Sequence, residues 1–149
     1  MTYQDPRLSP AYQLWLASNA WQRKVRRALE PFDLTHVQFV ILASIDLLAR
    51  EGTQPTQIAV CRFAALDENM TSQVVKTLIQ KGLVRREQHA DDARAKILAL
   101  TKSGQETTCG ARSAVKPATL AFFAPLGERA DELTALLADL NANSQDCSG

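Results

Sequence analysis

Asn69, Gln73 and Lys76 fall at i, i+4 and i+7 in a segment of helical period, with Thr77 and Gln80 continuing the same polar side. Asn and Gln each carry a paired donor and acceptor that fits an adenine edge in the major groove of DNA, and Lys suits a phosphate. The opposite side of the segment reads Thr71, Val74, Val75 and Leu78, an apolar stripe that would face a core. An ordinary amphipathic helix with a solvated polar face presents the same pattern, so what surrounds the segment decides between the two readings.

The surroundings are basic. From Lys76 to Lys96 six cationic residues (Lys76, Lys81, Arg85, Arg86, Arg94 and Lys96) stand against Glu87, Asp91 and Asp92, a net +3 in a chain whose formal charge is only +1. Excess positive charge beside a groove-sized helix is the footprint of a polyanion partner, because each neutralised phosphate releases counterions. A solvated charged hairpin has the same composition; its position beside a helix-turn-helix favours DNA.

Placing these residues requires a particular set of elements. A first helix is predicted over 8–29, stopped by Pro31, with Leu14, Trp21, Val25 and Ala28 on one stripe. A second begins at Thr35, where Thr35 and Gln38 form a capping-box pattern, and ends before Gly52; it is apolar nearly all round and should be central and buried. A short third helix spans 55–64 with Pro55 in its first turn, and a fourth runs from Asp67 to Lys81, closed by Gly82. Then LVRREQH and AKILAL, joined by the polar ADDAR, predict a β-hairpin with a charged tip. A fifth helix starts near Thr101 and should be kinked or split at Pro117; a sixth carries Leu133, Leu136, Leu137 and Leu140, before a frayed tail. The predicted fold is mainly α with a small hairpin wing: one domain over 1–149, a winged helix-turn-helix over about 34–101 between helical extensions at about 8–33 and 102–142.

Composition narrows the function classes. The 149 residues are 46% hydrophobic and 22% charged, enough for one real core with apolar surface left for a partner. The N-terminus has no basic stretch followed by an apolar one, and no run approaches a membrane span. Cys61, Cys109 and Cys147 are odd in number and in no ligand spacing, so a reducing cytoplasm is expected. His36 and His89 form no metal or catalytic motif with each other or with the cysteines, and no glycine-rich phosphate loop is present. The chain is therefore expected to have no catalytic residues, no metal and no cofactor.

The segment DARAKILALT, with Asp92, Arg94, Leu100 and Thr101, resembles the wing pattern D-x-R-x-x-x-x-x-L-T of MarR (multiple antibiotic resistance) regulators, and Gly104 follows where these proteins often have glycine. VVKTLIQKGLVRRE is similar to their recognition helix and first wing strand, LTHVQFVIL to their second helix, and AFFAPLGERADELTALLADL to their C-terminal dimerisation region; the likeness runs in order from about residue 10 to 140. It implies a homodimeric transcriptional regulator, more readily a repressor, bound to double-stranded DNA. It implies that Asn69, Met70, Ser72 and Gln73 face the major groove, that Asp92 braces the wing, and that Arg94 reaches the backbone or minor groove; Lys76, Arg86 and Lys96 complete the DNA-binding set. This sequence departs from its relatives at Gln73, often Arg there, at Ala93 and Ala95, often charged, and at Pro117.

Regulators of this kind often bind small aromatic or phenolic acids in a cleft lined by the first, second and fifth helices. Trp15, Asn19, Trp21, His36 and Phe39 fall in those segments as the candidate effector site, an apolar slot with a few polar groups; for each tryptophan taken alone, ordinary core or dimer packing is the more frequent explanation. Asp46, in an apolar helix, needs a partner such as Arg or must face solvent. Two other readings predict different surfaces: an oxidant sensor would use one of the cysteines, and a protein-interaction winged helix would show an uncharged or acidic recognition face.

Overall fold

The structure, a computed structural model, describes residues 5–88 and 96–145, so Asp92, Arg94, His89 and Cys147 lie outside the described residues. Six α-helices and one antiparallel hairpin follow in the order α1 (Pro10–Leu29), α2 (His36–Arg50), α3 (Gln57–Phe63), α4 (Glu68–Gln80), β1 (Val84–Gln88), β2 (Lys96–Leu100), α5 (Lys102–Phe123) and α6 (Arg129–Gln145).

Helix α2 is the axis of the core. Its start is fixed by both bonds of the capping box: Gln38 N–H donates to Thr35 Oγ1 and Thr35 N–H to Gln38 Oε1, each at 3.1 Å. Ile41, Leu42 and Ile45 are essentially inaccessible, packed with Val25 and Leu29 of α1, Val60 of α3, Val75 and Leu78 of α4, Leu98 of β2 and Ala111 of α5. Asp46 finds the partner its sequence context demanded. Its carboxylate takes Arg112 Nη2 of α5 at 2.8 Å and Arg50 Nε at 3.2 Å, tying α2 to α5.

Three helices end in the same way. After α2, α3 and α4 the chain turns through one residue of positive φ (Gly52, Ala65 and Gly82), and two N–H groups return to carbonyls of the last turn. Gly82 N–H reaches Ile79 O and Leu83 N–H reaches Leu78 O, a Schellman closure. The α3 end makes the same bonds, Ala65 to Arg62 and Leu66 to Cys61, but with an alanine at φ 52°.

Three expectations are corrected. The first helix begins at Pro10 rather than Leu8, because Ser9 caps it by accepting from Tyr12 N–H, and Pro6–Leu8 form a separate 3-10 turn. Pro55 is outside α3, which Thr56 caps; the Pro55 carbonyl accepts from Leu98 N–H at 2.9 Å, so this stretch lies against β2 as a third, bridge-like rung. Helix α5 runs through Pro117 as one element, so of the kink or split expected there the split does not occur. Its flanks hold it on α1, where Trp21 Nε1 donates to Thr119 Oγ1 at 3.2 Å. At its other end Thr101 Oγ1 donates to Gly82 O, and Gly104 abuts the Leu83 carbonyl so closely that any Cβ would overlap the oxygen.

Candidate nucleic-acid interface

The α3–α4 pair and the hairpin base make the site. Helix α4 is buried through Thr71, Val75 and Leu78, and its start is fixed by Asp67, whose Oδ1 accepts from Met70 N–H at 2.7 Å while Thr71 Oγ1 donates to Asp67 O at 2.8 Å. With that face committed to the core, the helical repeat turns Asn69, Gln73, Lys76 and Gln80 outward, and all four are exposed. Ser72 lies on the flank shared with Lys76, and Met70 on the opposite flank, 42% exposed.

The hairpin supplies the second wall. Val84 pairs with Leu100 and Arg86 with Leu98, so Arg86 shares the inner face with three buried apolar residues. Its Nη2 donates to Gln57 Oε1 at the start of α3, 3.1 Å away, and its Nε is buried without a partner. Between these parts opens a concavity of about 430 Å³ lined by Thr56, Gln57, Ile58, Ser72, Lys76, Arg86 and Lys96. Its walls hold three cations, the hydroxyls of Ser72 and Thr56 and an amide, and among the described residues no lining side chain is acidic. Such a surface is suited to an anion, and a face of this charge is what a protein-interaction module was expected to lack.

The structure thus brings Ser72, Lys76, Arg86 and Lys96 around one hollow, with Asn69, Met70 and Gln73 on the adjoining helix surface. It divides the basic run that the sequence presents as a unit. Lys81 Nζ turns back to the Asp33 carbonyl and to Gln38 Oε1, 3.3 Å away. Arg85 lies on the outer hairpin face, bound to Glu87 Oε1 at 2.8 Å and to Leu100 O at 3.2 Å. These two cations brace the fold. Gln57 and Thr56 escaped sequence reasoning, since taking Pro55 as helical hid the Thr56 cap and the first-turn position of Gln57.

The candidate effector residues separate into two groups. Trp21 and His36 meet edge-to-face, ring centroids 5.2 Å apart, with Thr119 on the indole nitrogen, so α1, α2 and α5 converge there. Burial first, and the Arg26 charge second, hold the His36 imidazole below its usual range. Phe39 packs on the edge of the core. Asn19 is half-buried further along α1, and Trp15 stands 66% exposed on its N-terminal half. Of the cysteines, Cys61 is buried with its Sγ 3.0 Å from the Leu66 carbonyl, while Cys109 is exposed on α5. Among the described residues no group of acidic, histidine and cysteine side chains could hold a metal, and no single helix is long and apolar enough to cross a membrane.

Comparison with known proteins gives a consistent result. Residues 30–115 match the family model described as ArnR1-like, winged-helix domain. The chain is 39% identical over 134 residues, 90% of its length and 91% of the other's, to the uncharacterized HTH-type transcriptional regulator YdcH of Bacillus subtilis (strain 168). A mutant MarR from E. coli, complexed with operator DNA, superposes with a TM-score of 0.80 at 20% identity, covering 94% of this chain and 99% of that one. BpsR of Bordetella bronchiseptica, solved to explain regulation of its DNA binding by 6-hydroxynicotinic acid, superposes with a TM-score of 0.77 at 19% identity, covering 88% and 97%.

Proposed function

The chain belongs to the ArnR1-like winged-helix family and is a DNA-binding transcriptional regulator of the MarR type; from that premise we propose that it works in the cytoplasm as a homodimeric repressor on a pseudopalindromic operator. The observation that carries the DNA reading furthest is the cationic hollow of Lys76, Arg86 and Lys96 beside the outward face of α4. In this reading the hollow seats backbone phosphate, with Gln57 steadying the Arg86 fork, while Asn69 and Gln73 meet base edges. The same reading gives Arg94 the role of reaching the DNA backbone or minor groove and Asp92 that of bracing the wing.

Dimerisation is supported by what the protomer leaves uncovered. Leu14, Trp15 and Leu16 of α1, Leu120 of α5 and Leu136 and Leu140 of α6 are 44–66% exposed, and no described residue of α6 is fully buried. A second copy covering these residues would place two recognition helices about one DNA turn apart, on a site of roughly 16 to 20 base pairs.

Release by a small aromatic acid is the accompanying proposal. It rests on the convergence of Trp21, His36 and Thr119 from three helices, and on the aromatic acid named for BpsR. Addition of 6-hydroxynicotinic acid should change the tryptophan emission and weaken operator binding.

The deciding experiment titrates the purified protein against its own upstream promoter DNA and a scrambled duplex at two salt concentrations. Tighter, salt-sensitive binding to the promoter is expected. Equal affinity for both duplexes at both salts would remove the sequence-specific reading.

A further inference from the structure

We propose that Met70 reads the 5-methyl group of a thymine in the operator, selecting an A·T base pair at one position of each half-site. The inference rests on the DNA-binding reading above and names the base that its recognition helix selects. Met70 is the third residue of α4, at the end that meets base edges in a helix-turn-helix. Its backbone is fixed by the Asp67 cap, yet its side chain stands 42% exposed, outside the Thr71–Val75–Leu78 face that packs into the core. An apolar side chain held out on an otherwise hydrogen-bonding surface has no partner within the protomer's core.

Its neighbours define what it would meet. Gln73 lies three residues on, one turn along the same side, and Asn69 sits beside it, so an apolar group flanks two amides. Ser72 and Lys76 fall on the other flank and border the cationic hollow. Seating a phosphate in that hollow therefore sets the helix with its amides over the groove floor and Met70 beyond them. The major groove offers one apolar group, the thymine methyl, and an adenine bonded bidentately by an amide brings its partner thymine with it. A methionine suits that contact better than a branched side chain, because its unbranched stem and polarizable sulfur adapt to a methyl whose position shifts with local DNA shape.

The test uses a duplex selected by the full-length protein from a random pool, with each thymine of one half-site replaced in turn by uracil, which deletes only the methyl. One position should lose about fourfold in affinity, the worth of one buried methyl group. Met70→Ala should lose about the same fourfold on the thymine duplex and bind its uracil counterpart no more weakly, so the penalty at that position vanishes while those at the other positions stay as in wild type. Gln73→Ala, measured on the same series, should retain the uracil penalty. A uracil penalty of equal size in wild type and Met70→Ala would overturn the proposal, as would a scan in which no thymine matters. A pool that yields no enriched duplex would instead overturn the DNA-binding reading on which it rests.

Discussion

The segment from Leu34 to Leu100 and the helices at either end of the chain differ in where most of their large apolar residues lie, although Ile58 and Phe63 of α3 stay exposed and Val25 and Leu29 of α1 are buried. In the former, Leu42, Ile45, Val60, Val75, Leu78 and Leu98 are sealed inside one protomer. In the latter, Leu14, Trp15, Leu120, Leu136 and Leu140 are left more than half exposed on α1, α5 and α6. Under the proposed dimer, the difference means that a protomer completes most of its DNA-facing core by itself and leaves its terminal helices to be covered by association. Apolar groups exposed together on neighbouring helices carry the cost of hydration until a second surface covers them.

That contrast can be broken at either end. Leu78→Ala should have the largest effect, a loss of about 2–5 kcal/mol in chemical denaturation, because the cavity opens where α4 meets the core. Leu136→Glu with Leu140→Glu should leave the circular dichroism of the fold nearly intact while sedimentation shifts to the protomer mass; a stable dimer in that variant would refute the assignment of α6. Lys76→Ala should weaken binding to specific and scrambled duplexes alike and lower the slope of log affinity against log salt by about one. Ala65→Gly should raise stability by about 0.5–1 kcal/mol, since glycine relieves the left-handed backbone that alanine endures between α3 and α4.

The smallest effect concerns pH. His36 has a lowered pKa in the folded chain, so the unfolded chain takes up more protons once the pH falls below the usual imidazole value of 6.5. Stability is thus full above about pH 6.5 and declines as the pH drops toward the folded value. A melting curve of wild type should fall between pH 7.5 and 5.5 by more than that of His36→Gln.

Local signals were legible in the sequence, and long-range ones were not. Thr35 with Gln38, Gly52 and Gly82 each announce a helix end through bonds spanning a few residues, and the structure has all three. The hairpin was readable from its alternation. Ala65 shows the limit. The turn between α3 and α4 has the geometry that glycine usually marks, and an alanine there gives no warning. Pro55 was misread for the complementary reason: it is claimed by β2, a neighbour that is not close in sequence. Charge was legible in amount but not in direction. Arg85 and Arg86 are adjacent letters on opposite faces of a strand, one bound to Glu87 and the other to Gln57 across the hollow.

The missing side chain of Gly104 has a mechanical meaning. With no gap between the start of α5 and the turn that ends α4, the two helices must pivot together, and α5 becomes a rod of 22 residues, about 33 Å long. A tilt of about 5° applied at its far end would carry the reading head sideways by about 3 Å, close to one base-pair step. In the proposed dimer, a lever of that length would let a slight adjustment among the terminal helices decide whether the two recognition helices stay in phase with the turns of the duplex.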